Sequence, residues 1–222
     1  MKIFISANIE FVIAAYLCSV KKITKSCNLS VQNYTNGKTT NKTTMQMNYI
    51  FDLDNTLIYS DTANNLAYKE AVQSVVNGDL QIDGGRITRG DIAARFPNLS
   101  AAQLSKIIAA KESLYPQYFD RTLLNPALLS ILKHLAANQK RTILLTYGGK
   151  DRALQLLEYY GIGNFFSEKY FKEDFSTMSK YKFATDVLEL NSRKIVLFEN
   201  ETEGQREAVS DGFAAHNIIK IV

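Results

Sequence analysis

Two carboxylates separated by one residue, Asp52 and Asp54 in the run Phe51-Asp52-Leu53-Asp54-Asn55-Thr56-Leu57, are the strongest chemical signal in this chain. They close an apolar stretch over residues 49–53 that reads as a short buried strand. Alternate residues of a strand point the same way, so both acids face one direction as the chain leaves the sheet. Such a pair suits a divalent cation, or a division of labour at a phosphoryl centre in which one carboxylate attacks and the other moves protons. Taken alone, Asp-x-Asp fits an acidic strand end that caps a helix equally well.

Holding these acids in place requires a sheet. Residues 142–145 and 195–198 are two further apolar strands, and residues 218–222 read as a last edge strand. Helical patterns separate them, which predicts a parallel sheet with helices on both faces. Asn125-Pro126 sets a cap and an N1 proline before the helical run ALLSILKHLAA. The helix over 150–160 closes on Gly161, and another over 178–190 precedes the strand at Ile195. Between Ser60 and Leu124 the alternation breaks. A helix over 62–76, a link containing Gly78, Gly84 and Gly85, a short helix near 91–95 and a helix opened by the capping box Ser100-x-x-Gln103 follow one another. A helical insert placed there reads as a small cap subdomain over the strand ends, where such sheets bind ligands. The expected division is a leader over 1–46, a core over 47–60 and 125–222, and a cap over 61–124.

Composition narrows the partners. Of 222 residues, 46% are apolar and 22% charged, ordinary for a soluble enzyme. The net charge of +4 is concentrated at one end: residues 1–46 hold six lysines against Glu10 alone, and the remainder 20 basic against 21 acidic side chains. That balance predicts no nucleic-acid surface and no membrane association for the core. Both cysteines, Cys18 and Cys27, lie in the leader, which excludes a disulfide framework or zinc cluster from the rest. The leader itself admits three readings. Residues 11–20 could be the apolar part of a secretory signal or anchor, with sequons at Asn28, Asn33 and Asn41 in the polar stretch that follows. Translation could instead start at Met45 or Met47, or the segment could be an ordered arm. The core is expected in the cytoplasm, or secreted or anchored if the apolar run is a signal.

FDLDNTL resembles the first motif of the haloacid dehalogenase (HAD) superfamily, in its phosphatase branch with a helical cap after that motif. The resemblance spans roughly residues 47–222. It implies a three-layer, Rossmann-like α/β core, Asp52 as the nucleophile that forms an aspartyl-phosphate, and Asp54 as general acid/base. The strand 142–145 ending at Thr146 matches the second motif. There Thr146, Tyr147 and Gly148 would meet the substrate, with Gly148-Gly149 offering backbone amides to phosphate oxygens. Tyr147 stands where many members carry a small polar residue. The third motif implies a lysine that neutralises the nucleophile–phosphate charge. Lys180 fits best, with Lys182 and Lys172 as rivals.

The fourth motif departs from the family, which follows its strand with Gly-Asp or Asp-Asp and another acid four residues on. This chain reads Phe198-Glu199-Asn200-Glu201-Thr202-Glu203-Gly204. Registered on Ala208 and Asp211-Gly212, Asn200 stands at the usual metal-binding aspartate and Gly204 at the later acid. The implied magnesium ion would be held by Asp52, Asp54, Asn200 and Glu199, with Glu201 as a rival ligand. His134 and His216 have no partners at ligand spacing and read as structural. The reaction implied is magnesium-dependent hydrolysis of a small phosphorylated metabolite. The alternative is a HAD-like binding or regulatory module with weakened catalysis.

Overall fold

The computed structural model describes residues 47–175 and 177–221, so the readings made for the leader lie outside the described residues. Strand β1 (Asn48–Phe51) is central. It pairs in parallel with β4 (Arg141–Leu145) on one side and β6 (Ile195–Glu199) on the other. Strands β5 (Glu168–Tyr170) and β7 (Ile218–Lys220) complete a parallel sheet of order β5-β4-β1-β6-β7. Successive strands of this sheet are joined through helical segments, which is what parallel pairing demands.

The alternation of side chains along β1 divides the core into two. Tyr49 and Phe51 face one layer, where they pack with Leu144 and Phe198, with Leu128, Ile131 and Leu132 of one helix and with Leu156 and Leu157 of another. Ile50 faces the opposite layer with Ile143, Leu145, Leu197, Tyr181 and Phe183. Three layers follow. Phe51 stacks on Phe198 with ring centroids 4.6 Å apart, locking β1 to β6 one residue before Asp52.

The helical insertion leaves and rejoins the core through two short strands, β2 (Ile58–Tyr59) and β3 (Leu123–Leu124), paired antiparallel. Between them lie α1 (Asp61–Val76), α2 (Arg89–Arg95), α3 (Ala101–Leu114) and a 3-10 stretch over Tyr115–Arg121. Thr88 and Ser100 each complete a capping box at α2 and α3. Asn77, at the end of α1, takes the left-handed conformation that lets the chain turn back. The insertion has its own small core of Tyr68, Ala71, Val72, Leu80, Ile92 and Ile107.

The remaining helices are α4 (Pro126–Ala137), α5 (Lys150–Tyr159), α6 (Lys180–Asp186) and α7 (Thr202–Ser210). Two expected helices stop early. The run after Ser100 gives way to 3-10 geometry at Tyr115 because Pro116 has no N–H to continue the helix. The helix expected over 178–190 spans only Lys180–Asp186. Leu188 N–H bonds back to Phe183 O and Leu190 N–H to Ala184 O around Glu189 at φ 51°, a left-handed reversal. No helix among the described residues is long and apolar enough to cross a membrane.

Candidate active site

Parallel register brings the chemistry to one level. Phe51 is aligned with both Leu144 and Phe198, so Asp52, Thr146 and Glu199 emerge at the carboxyl edge of three adjacent strands. Asp52 N–H still donates to Phe198 O at 3.1 Å, which fixes its backbone to the sheet. The chain then reverses through Leu53, whose carbonyl accepts from Thr56, Leu57 and Ile58, with Asn55 at φ 57°. This tight loop returns Asp54 to the same cleft.

Lys180 stands at the first position of α6, whose N-cap Ser179 accepts from Lys182 N–H. Its ammonium lies 2.7 Å from Asp52 Oδ1 and 3.0 Å from Glu199 Oε2, with all three side chains buried. Tyr181 donates its hydroxyl to the same Glu199 oxygen at 2.7 Å. One ammonium therefore serves two buried carboxylates. Burial works to discharge Lys180, but Asp52 and Glu199 outweigh it and raise its pKa. Burial, reinforced by the Glu199 charge and opposed by Lys180, pushes the Asp52 carboxyl up to about 7.

Asp54 meets a different environment. Arg152, on the first turn of α5, donates Nη1 to Oδ1 at 2.9 Å and Nη2 to Oδ2 at 2.6 Å. Ser60 donates to Oδ1 at 2.7 Å, and Arg86 of the insertion lies 3.5 Å away while also holding Asp61 at 3.1 Å. Burial alone would raise the carboxyl, but the two guanidinium charges and these hydrogen bonds hold it far below the usual carboxylate range. In this arrangement Asp54 is an ionised acceptor.

Thr146, Tyr147 and Gly148 line the same cleft, which encloses about 1070 Å³ between the strand ends and the insertion. Thr146 Oγ1 accepts from Gly148 N–H at 3.0 Å. A Cβ at Gly148 would stand 2.5 Å from Arg152 Nη2, so only glycine leaves room for the Arg152–Asp54 pair. Tyr147 is half exposed. Its hydroxyl donates to Glu207 at 2.8 Å and accepts from the Lys180 amide at 3.3 Å, laying its ring beneath the Lys180 ammonium, 5.0 Å from the centroid.

The unusual fourth motif has a local explanation. Asn200 Oδ1 accepts from Thr56 Oγ1 at 2.8 Å, and the Asn200 backbone N–H donates to the same hydroxyl at 3.2 Å. A Cβ at Gly204 would meet Tyr181 Oη at 2.9 Å and Glu199 Cδ at 3.0 Å. The space of the missing later acid is already filled by the Glu199–Tyr181 pair. Glu201 is exposed, its amide donating to Glu199 Oε1 at 3.0 Å. Of the rival lysines, Lys182 is exposed and paired with Asp186 at 2.6 Å, and Lys172 lines the cleft while the ammonium on Asp52 is that of Lys180.

Among the described residues no three His, Cys, Asp or Glu side chains converge as a metal cage. A smaller donor set remains. Lys180 takes Asp52 Oδ1 and leaves Oδ2, while at the neighbouring strand end both Glu199 oxygens and the amide oxygen of Asn200 already accept hydrogen bonds, from Lys180, Tyr181, Glu201 and Thr56. These are hard oxygen donors on adjacent strands, the chemistry magnesium requires, with an amide in place of one carboxylate. The Asp54 side chain, expected from the sequence to join them, is instead committed to Arg152.

Five residues that shape the site were not expected from the sequence: Arg152, Arg86, Lys111, Ser60 and Tyr181. Arg152 carried a usable signal, because the first turn of a helix that follows a strand end and a Gly-Gly turn points back at the cleft.

No protein-family model matches the sequence, and no curated protein matches it either. Solved structures do. A predicted phosphoglycolate phosphatase from Haemophilus somnus superposes with a TM-score of 0.66 at 18% identity, over 81% of this chain and 86% of that one. A haloacid dehalogenase-like hydrolase from Streptococcus pneumoniae gives 0.63 at 18% over the same shares of the two chains. CbbY from Rhodobacter sphaeroides, solved in complex with phosphate, gives 0.64 at 16%, over 76% and 84%. The structural neighbours are HAD-superfamily hydrolases and phosphatases. This chain has their fold, a parallel α/β core with a helical cap inserted after the first strand.

Proposed function

We propose that this protein hydrolyses small phosphomonoesters through an aspartyl-phosphate on Asp52. The observation that carries the reading is the buried contact of 2.7 Å between Lys180 Nζ and Asp52 Oδ1, at the mouth of a strand edge that also presents Thr146. An ammonium fixed there offsets the charge that builds when a carboxylate meets a phosphate, before any reorganisation is needed. The phosphatase names of the structural neighbours and the phosphate bound by one of them support the same class of substrate.

In the first step an Asp52 oxygen attacks phosphorus and the ester P–O bond breaks, the leaving oxygen taking a proton. Thr146 Oγ1 and the amides of the turn that follows hold phosphoryl oxygens. In the second step water attacks the same phosphorus, Asp52 is released and inorganic phosphate leaves. Asp54 takes the proton of that water, a role its ionised state in the Arg152 pair supports. Acting first as an acid requires its release from Arg152 and the uptake of a proton from solvent, which it then passes to the leaving oxygen. A magnesium ion held by Asp52, Glu199 and Asn200 would supply further charge neutralisation at the phosphate. The enclosed cleft favours small phosphorylated metabolites over protein substrates.

One observation favours a second reading, a binding module without turnover: Asp54 is fully engaged by Arg152, Ser60 and Arg86. A screen of small phosphoesters with and without magnesium, combined with acid-quench trapping of the aspartyl-phosphate, separates the two. Turnover lost in Asp52→Asn supports the hydrolase. Phosphate binding without turnover at any magnesium concentration supports the module.

A further inference from the structure

Where the insertion meets the core, the cleft carries a buried cation pair of which hydrolysis at Asp52 uses only the terminal nitrogens of Arg152, on Asp54. Lys111 of α3 and Arg152 of α5 are buried, with side-chain exposures of 5% and 6%, and both cations lie against the Tyr115 ring, 4.8 and 4.9 Å from its centroid. One carboxylate joins them. Glu112 Oε1 is 3.2 Å from Lys111 Nζ, and its Oε2 is 3.7 Å from Arg152 Nε. The second contact is too long to be a hydrogen bond, so Arg152 Nε is buried without a hydrogen-bond partner. Buried donors are rarely left so, and an unmet one beside a cleft is a place where a water or a ligand oxygen is accommodated. Glu112 is itself 39% exposed, and an ion pair that open to water is weak and easily exchanged.

We infer that Lys111 and Arg152 form a second anion subsite, that Glu112 occupies it as an internal competitor, and that the favoured substrate is a phosphomonoester whose second anionic group, carboxylate or phosphate, replaces Glu112 there. Lys111, Glu112 and Arg152 line the same cleft as Asp52. Arg86 lies on the same side but is already bound to Asp54 and Asp61, and the Arg152 groups that hold Asp54 are its two terminal nitrogens. The remaining Nε and the Lys111 ammonium are the donors open to exchange. The inference rests on the phosphatase reading for its chemistry and on this cation pair for its selectivity.

The test measures kcat/KM of the full chain on two matched pairs: phosphoglycolate against hydroxyethyl phosphate, and propanediol bisphosphate against propanediol monophosphate. Within each pair only the second group changes, so the pair that shows a preference identifies carboxylate or phosphate. The anionic member should be favoured by about tenfold or more, the scale of a charge-assisted hydrogen bond to a buried cation. Lys111→Met should bring that ratio towards one, and Lys111→Arg should keep it. Glu112→Gln should raise it by about threefold, the scale of losing a half-exposed competitor. If Lys111→Met does not fold, Lys111→Arg and Glu112→Gln still decide. Equal rates within both pairs, or a preference that Glu112→Gln leaves in place, would overturn the inference while leaving the hydrolase reading standing. If no ester is hydrolysed the hydrolase reading fails, and calorimetric Kd values for the same four compounds decide the subsite by the same ratios.

Discussion

Arg152 grips Asp54 through two parallel hydrogen bonds, at 2.9 and 2.6 Å, across a sequence separation of 98 residues. Paired forks of this kind are the strongest ion-pair geometry available to side chains. Removing one member leaves the other charge buried. Arg152→Met should therefore destabilise the fold by about 3 kcal/mol at neutral pH, the low end for breaking a buried pair, because Arg86 and Ser60 still hold Asp54. The loss should shrink as pH falls. Without that guanidinium the Asp54 carboxyl, still held by Arg86 and Ser60, titrates higher than in the parent, so the loss fades as pH falls through the variant's higher value. Urea titrations of parent and variant at pH 7 and pH 4 check this, and an equal loss at both would show that packing rather than charge is at stake.

The two carboxylates should fail differently. Asp52→Asn should abolish turnover and any trapped acyl-phosphate, because an amide does not attack phosphorus. Asp54→Asn should still bind phosphate analogues but turn over about 10²-fold more slowly, the lower range of an acid/base contribution. Single-turnover kinetics with quench separate the cases. Full activity in Asp52→Asn would remove the proposed mechanism.

Asn200 offers a direct reading of metal affinity. Asn200→Asp adds a carboxylate beside Asp52 and Glu199 without changing the side chain's size, so magnesium should bind the variant more tightly than the parent in a calorimetric titration. Thr56, which donates to the present amide oxygen, can donate equally to the new carboxylate. Indifference of magnesium binding to this change would place the ion away from β6.

Lys111 should impose a pH dependence on substrate choice. Burial lowers its pKa to about 8, with Arg152 and Arg86 adding to the effect and Glu112 opposing it. Below that pH the ammonium is charged; above it the charge is lost. Discrimination in favour of doubly anionic esters should thus weaken as pH rises through about 8, and the inflection should vanish in Lys111→Arg. The same depression means the native state sheds this proton before the unfolded chain does, so Lys111 lowers stability below pH 8 and the penalty fades as pH rises above it. Ratios of kcat/KM between pH 6.5 and 9 measure the effect.

Much of the core was legible because its signals are local. Apolar runs bounded by helix caps mark β1, β4 and β6, and Asn125-Pro126 and Ser100 mark helix starts within a residue of where they fall. Lys180 was legible as a helix-opening lysine ahead of a strand, and the structure sets it against Asp52. What escaped depends on long-range packing. Strand β5 has no apolar run of its own; it is held as a strand by β4 and by the Arg141–Glu168 pair. Strands β2 and β3 are two residues each and exist only by pairing with one another. Arg86, Lys111 and Arg152 lie 66 residues apart at the extremes, and nothing in their local sequence says that they converge. The shortened α6 reflects a left-handed Glu189, a residue with no composition signal for that conformation.

The pairing of Ile58 with Leu124 and of Tyr59 with Leu123 is the only strand ladder between insertion and core among the described residues. Such a narrow ribbon can twist without disturbing the five-stranded sheet, so admission and release of small molecules can proceed by rocking the helical part on a pivot. Ser60, the residue that follows this ribbon, also donates to Asp54. The pivot and the Asp54 carboxylate are thus mechanically joined, and each swing of the insertion would be felt at Asp54 while Asp52, its amide bonded to β6, stays still.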